Sequence, residues 1–257
     1  MTSQMTYTAL PGLPLVQPGD DLAAMILEGL ERAVLVLQNG DVLVVSQKIV
    51  SKVEARLINL DEVDPSPEAI LLAEEIKKDP RLVEVILRES NQVLRKRVDL
   101  IIVEHKLGFV CANAGVDHSN IQGMGERQGE WVSILPEDPD ASARILRQRI
   151  YAATGAQIGV LIIDSHGRAW RLGTVGVTIG VAGFPALLDL RGRPDLYGDT
   201  LQITQVGLAD EVAAAASVLM GQADERRPVI HVRGLPYNLR EGSLIEILRP
   251  KELDLFR

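Results

Sequence analysis

Cysteine is almost absent from this 257-residue chain: Cys111 stands alone. An intrachain disulfide is therefore excluded, and a reducing, cytoplasmic setting is expected. Aromatic residues make up only 4% of the sequence, so the core has to be assembled from Val, Leu, Ile and Ala. Positive charge is in deficit, with 27 Lys and Arg against 35 Asp and Glu and a formal net charge of −8. That balance argues against nucleic acid as a partner and, at first reading, against large anions in general. Long hydrophobic runs are missing too. The longest uncharged stretch, residues 172–188, is short for a membrane span and is interrupted by glycine and proline, so it reads as buried core and no membrane partner is expected. Residues Met1 to Leu10 carry neither the basic segment nor the apolar run of a signal peptide. Several catalytic signatures are missing as well: a phosphate-binding G-x-x-x-x-G-K-[ST] loop, a strand running into G-x-G-x-x-G, a zinc-type histidine or cysteine spacing, and a G-x-S-x-G elbow. Gly123, Gly125 and Gly129 have the wrong spacing for a dinucleotide loop and read as a mobile loop.

The hydrophobic fraction, 46%, is that of an ordinary globular protein, and the length suits one large domain spanning residues 1–257 with no evident internal boundary. Asp20 and Asp21 cap a helix through Ile26 to Leu30; Ser66-Pro67, Asp79-Pro80 and Asp138-Pro139 open three more, the last closed by Gly155. Asp210 opens an alanine-rich helix ending at Gly221. Short apolar runs at Val42–Val45, Leu100–Val103, Ile158–Ile163 and Val229–Val232 read as strands, the third buried on both faces. Helices and strands mix without a regular βαβ rhythm. The expected class is therefore α+β, with mixed or antiparallel sheets and packed helices.

Two acidic clusters follow apolar strands. Asp117, Ser119 and Asn120 come after Phe109–Ala112, in a stretch whose hard oxygen donors suit Mg²⁺ or Mn²⁺ but whose composition, taken alone, suits a plain turn better. Asp164 and Ser165 follow Ile158–Ile163, where a carboxylate can be a metal ligand, a helix cap or part of a D-S-x-G turn. Beside them lie Arg168, Arg171, Arg191 and Arg193, candidate contacts for anions. Trp170, between two of these arginines, is too bulky to be expected wholly exposed. Glycines 173, 176, 180 and 183 alternate with β-branched residues, which indicates extended chain and a close backbone approach. Lys48 and Lys52, four apart, share a helical face that could hold phosphates or be merely solvated.

Taken in order, these segments resemble the coenzyme F-420:L-glutamate ligase (F-420-0 γ-glutamyl ligase) family. The resemblance runs through Gly12–Val16 with Gly19–Leu22, Asp41–Lys52, Asn113–Asn120, Asp164–Arg168, Arg171–Gly176, Arg191–Gly198, Ala209–Glu211, Leu219–Gly221 and Val232–Gly234. It implies an enzyme that joins L-glutamate to the F-420 precursor at the expense of GTP, through an acyl phosphate. It also implies a requirement for Mg²⁺ or Mn²⁺ with K⁺ as a monovalent helper, and an intertwined α+β homodimer. Carried over residue by residue, it assigns Asp117, Asp164, Ser165 and Gln222 to metal, and Leu13, Pro14, Leu15, Val16, Gln47, Lys48, Lys52 and Asn120 to the nucleotide. No side-chain nucleophile is implied; Arg168 and Arg171 remain candidate anion contacts, and the other catalytic residues are unassigned. A ligase acting on another acceptor, or a non-catalytic nucleotide or deazaflavin binder, would share this pattern. Two positions depart from it. Gln222 stands where relatives often have an acid, and Ala55 stands where glycine is usual, which suggests local backbone drift. The flavin-binding domain fused to some bacterial relatives is not expected, as the sequence stops at Arg257.

Overall fold

The computed structural model describes residues 4–119, 121 and 129–255; Asn120, Gly123 and Gly125 lie outside the described residues. Twelve strands and six α-helices occur among them. In chain order these are β1 (Thr6–Ala9), α1 (Leu22–Arg32), β2 (Val42–Ser46), α2 (Gln47–Val53), β3 (Leu57–Asn59), α3 (Pro67–Ile76), α4 (Pro80–Arg88), β4 (Ser90–Arg97), β5 (Leu100–His105) and β6 (Val110–Ala112). There follow β7 (Trp131–Ser133), α5 (Pro139–Thr154), β8 (Gly159–Arg168), β9 (Arg171–Ala182), β10 (Leu188–Asp189), β11 (Gln205–Val206), α6 (Leu208–Met220) and β12 (Val229–Arg233). The α+β expectation holds. None of the described helices is long and apolar enough to cross a membrane.

The central sheet has the order β1-β12-β2-β8-β9, antiparallel throughout except for the parallel pair β2–β8. Its strands are apolar on both sides, and residues alternate between two cores as the pleat requires. Leu43, Val45, Val160 and Ile162 face α1 and α5. Val42, Val44, Leu161 and Ile163 face α6. A smaller sheet, β4-β5-β6, packs with α3 and α4 around Ile76, Ile86, Ile101 and Val103. The β3–β7 and β10–β11 pairs stand apart from both sheets.

Capping follows the sequence closely. The side chains of Asp21, Ser66, Asp79 and Asp138 accept hydrogen bonds from the first turns of α1, α3, α4 and α5. Helix α6 differs from expectation. It begins at Leu208 after Gly207, and Asp210 lies inside its first turn. The Asp210 carboxylate instead accepts the backbone N–H of Thr178 in β9, at 2.9 Å. Strand β9 is an edge of the central sheet, and side chains cover its outward N–H groups: Ser217 receives Gly176, Asp210 receives Thr178 and Asp140 receives Val181 at 2.7 Å. An edge satisfied in this way cannot recruit a foreign strand.

At the opposite end of β2, buried Asp41 anchors three segments. It accepts from His231 Nε2 at 2.9 Å, from Arg233 Nε at 2.9 Å and Nη2 at 2.7 Å, and from the Gln38 N–H. Burial pushes the Asp41 carboxyl up, but Arg233, His231 and the Gln38 amide outweigh it and hold it below the ordinary carboxylate range. Because the folded-state pKa is depressed, this carboxylate stabilises the fold at neutral pH and the contribution is lost as pH falls below about 4. Asp41→Ala is expected to cost about 3 kcal/mol or more in urea unfolding at pH 7, with a smaller difference at pH 3.

Ala55, just past α2, has φ +55. The expected backbone drift is therefore not found: the chain keeps the left-handed conformation that glycine adopts freely, and alanine bears the strain. Ala55→Gly is expected to leave the fold unchanged and raise stability by about 0.5–1 kcal/mol, the relief of strain exceeding the entropy that glycine adds to the unfolded chain.

Candidate active site

The parallel pairing of β2 with β8 sets Ser46 beside Ile163, so α2 begins next to the point where β8 reaches Asp164. Two other segments arrive at this end of the sheet. The Leu10 N–H bonds to the Val229 carbonyl and the Ser46 N–H to the Pro228 carbonyl. Residues 11–16 and the connection after α6 therefore lie next to the start of α2. Leu13 packs on Gly29 of α1 and Val16 is buried, whereas Pro14 and Leu15 are exposed.

Gln47 is buried, and its side-chain oxygen accepts from Ser51 Oγ at 2.9 Å. Lys48 and Lys52 fall on one face of α2, as their spacing requires. Lys48 Nζ lies 2.7 Å from Asp117 Oδ2 and 2.5 Å from Ser119 Oγ. Lys52 is buried, and burial together with the charge of Lys48 lowers its pKa. Burial pushes the Asp117 carboxyl up, but the hydrogen bonds from Lys48 and from the Ser119 backbone leave it below the usual range. Asp117 is thus held as an anion around a cationic group.

Asp117 is delivered by a strained loop. Asn113, Ala114 and Gly115 follow β6 with φ of +50, +52 and +67. A left-handed conformation costs a non-glycine residue roughly 1–2 kcal/mol. Asn113 Oδ1 accepts the Ile101 N–H, Ala114 is fully buried, and a Cβ on Gly115 would strike Leu135 at 2.9 Å. Beyond the turn, the Asp117 backbone exchanges two hydrogen bonds with Ser133 of β7. Such over-determined strain is typical of functional loops.

Asp164 is neither a helix cap nor a turn residue. Strand β8 continues through it to Arg168, so it stands within a strand rather than at its end. Opposite it, β9 carries a bulge at Ile179, where the register passes from Ile162–Gly180 to Ile163–Thr178. Asp210 satisfies the Thr178 N–H beside that bulge. Successive β8 side chains point to opposite faces. Asp164 shares the face of Val160 and Ile162, whereas Ser165 shares the face of Leu161 and Ile163, toward α6. Ser165 pairs with Gly176, against which Ser217 of α6 packs, and the helix runs on from there to exposed Gln222. The nearby acid, Glu225, is occupied by its own loop, accepting the Ala223 N–H at 2.8 Å.

Other candidates lie further out. Arg168 and Arg171 are opposite each other at the tip of the β8–β9 hairpin, about 13 Å along the strand from Asp164. Arg191 belongs to the loop after β10 and pairs with Asp189 there. Trp170, expected to be at least partly covered, is 73% exposed in the single chain. Residues to which the sequence reading gave no role also line the region: His105 stacks on Phe109, His166 meets Phe109 at a tilt, and Cys111 lies close enough to Asp164 to feel its charge. Burial and that charge push the Cys111 thiol up to about 12, so it is an inert core group rather than a nucleophile.

The donor set fits a hard divalent cation in one specific way. Among the described residues no group of three or more His, Cys, Asp or Glu is poised to enclose a metal. Asp117, Asp164 and the Ser119 and Ser165 hydroxyls are hard oxygen donors that form no such group, Asp117 and Ser119 being bonded to each other and to Lys48. This is the sparse protein contribution that Mg²⁺ accepts when phosphate and water complete its shell. A cation is already accommodated by Asp117, in the form of the Lys48 ammonium.

Comparison with known proteins identifies the family. The family model for F420-0:Gamma-glutamyl ligase matches residues 12–234. A protein of Methanothermobacter thermautotrophicus named Coenzyme F420:L-glutamate ligase is 47% identical over 256 residues, 98% of this chain and 99% of its own. Proteins of the same name from Methanopyrus kandleri and Methanocaldococcus jannaschii are 50% and 44% identical, covering 94% and 86% of this chain and 93% and 86% of theirs. On the family match over residues 12–234 and these identities, this chain belongs to the F420-0:γ-glutamyl ligase family.

Proposed function

We propose that this protein joins L-glutamate to the F-420 precursor F-420-0, and possesses the means to extend a γ-linked glutamate tail, with GTP as the energy source. The observation that carries this reading is the pair of lysines on α2, Lys48 and Lys52, set against the anionic Asp117 and the β8 carboxylate Asp164 at one end of the sheet. In the first step the terminal carboxylate of the acceptor attacks the γ-phosphorus of GTP; the P–O bond to GDP breaks and an acyl phosphate forms. The glutamate amine then attacks the acyl carbon, inorganic phosphate leaves, and the amine loses its proton as the amide forms. Every participant is anionic, so neutralising charge is the main catalytic task.

Lys48 and Lys52 would bind phosphate oxygens, with the 13–16 segment, Gln47 and Asn120 around the nucleotide. An anion near Lys52 would offset the burial and the Lys48 charge that lower its pKa. Asp117, Asp164, Ser165 and Gln222 would hold Mg²⁺ or Mn²⁺. The metal would neutralise developing charge on the phosphoryl oxygens. K⁺ would assist as a monovalent ion. Arg168 and Arg171, remote from Asp164 within one chain, would meet anions only where a second subunit brings them near.

A homodimer is part of the same proposal. The β8–β9 hairpin and the β10–β11 region expose Trp170, Leu172, Leu196, Tyr197 and Ile203, with Leu172 99% and Leu196 97% accessible. Exposed large apolar side chains on these two segments are suited to a second copy of the chain.

Protein incubated with GTP, Mn²⁺ or Mg²⁺, K⁺, L-glutamate and F-420-0 is expected to release GDP and add glutamyl units visible by mass spectrometry. Absence of any glutamyl product from well-folded protein would refute the assignment. Asp117→Ala and Asp164→Ala are each expected to lower turnover at least about 100-fold with little change in melting temperature. Light scattering coupled to gel filtration is expected to give twice the chain mass, and Leu172→Glu with Leu196→Glu to shift it to the monomer; a monomeric parent protein would overturn the dimer.

A further inference from the structure

The three rings at the junction of the small sheet and the central sheet have no part in the reading above. His105 closes β5, Phe109 precedes β6 and His166 lies two residues after Asp164 on β8. His105 and Phe109 are stacked, with centroids 5.2 Å apart and planes within 8°. Phe109 and His166 are tilted at 48° with centroids 5.4 Å apart. His166 Nε2 lies 3.1 Å from Asp164 Oδ2. An ionised carboxylate can only accept, so this contact makes Nε2 the proton-bearing nitrogen of His166.

We propose that His166 is a positioning residue for Asp164, clamped by the Phe109–His105 stack, so that one carboxylate oxygen is held by the imidazole and the other is presented to a divalent cation. This rests on the reading of Asp164 as a metal ligand.

Three features support it. Asp164 and His166 are two apart on one strand and therefore share a face. The imidazole is largely enclosed, with 11% of its side chain accessible, so the ring is not free to swing away. The clamp itself is fixed at its far end: the Leu107 N–H donates to His105 Nδ1 at 2.9 Å, which orients that ring. Burial and neighbouring positive groups push the His105 pKa down to about 4, so the base of the stack is an uncharged ring at neutral pH. Asp210, on α6, also lies within electrostatic reach of His166, so the ring feels carboxylates on two elements. Carboxylates that bind metals are commonly oriented by such outer hydrogen bonds, and their loss typically costs 10- to 100-fold in metal affinity.

The test is Mn²⁺ binding to the full-length protein, read as the loss of the free-ion electron paramagnetic resonance signal and by calorimetry, without turnover. His166→Phe keeps a ring against Phe109 and removes the donor; it is expected to weaken Mn²⁺ binding about 10-fold. Phe109→Leu keeps the bulk and the His166 donor but removes the stack; a loss of about 3- to 10-fold is expected. Phe109→Tyr restores the ring and is expected to bind as the parent does. In the ligase assay the apparent KM for Mn²⁺ is expected to rise in His166→Phe, with kcat recovered at saturating metal. A purely structural role would lower melting temperature without that split. Asp164→Ala separates the two readings. If it binds Mn²⁺ as well as the parent, the metal assignment itself fails. If it loses Mn²⁺ while His166→Phe keeps parental affinity, the positioning role is overturned. Should Phe109→Leu fail to fold, His166→Phe and Phe109→Tyr decide the matter.

Discussion

The parallel pairing of β2 with β8 is the constraint on which the rest of the site depends. In a sheet that is otherwise antiparallel, this one pair makes two strands end in the same direction. One of them turns at once into α2 with its two lysines; the other carries Asp164 just beyond the register partner of Ser46. Had the pair been antiparallel, the lysines and the carboxylate would lie at opposite ends of the sheet. The long apolar runs of both strands, buried on both faces, hold that register, because a slip of one residue would exchange every side chain between the two cores.

Around this frame, polar groups are spent economically. Asp140, Asp210 and Ser217 close the exposed edge of β9, and Asp41 gathers His231 and Arg233 at the end of the sheet away from the site. The carboxylates that close the edge are pushed up by burial and still accept backbone N–H groups, so their role is structural. At the other end, Asp117 is an anion matched to Lys48. The overall charge of −8 thus conceals a local pair of cations, Lys48 and Lys52 on α2.

Backbone strain collects near the same end. Asn113 to Gly115 are left-handed in succession, and Ala55 keeps a glycine-like conformation without glycine. Neither could be read from propensity, because both depend on what the surrounding fold imposes. The first is over-determined by Leu135, Ile101 and Ser133, so the loop presents Asp117 in one orientation.

Local features were legible in the sequence. The caps at Asp21, Ser66, Asp79 and Asp138, the Gly155 stop, the two-sided burial of β8 and the extended glycine-rich β9 all follow from short-range stereochemistry and periodicity. The ordered motifs likewise carried the family. What they could not carry were features set by partners distant in the chain. Polar β4 is a strand only because β5 pairs with it, and Asp210 looks like a cap until β9 claims its carboxylate. Likewise, Asp164 and Ser165 are neighbours in sequence, and only the strand shows that they fall on opposite faces. The stack of His105, Phe109 and His166 joins residues up to 61 apart, a proximity that no local pattern encodes. Sequence determined which segments form and which chemistry they carry, because those depend on neighbours along the chain. Tertiary structure decided which carboxylate faces which cation, because that depends on strand direction, register and the pleat.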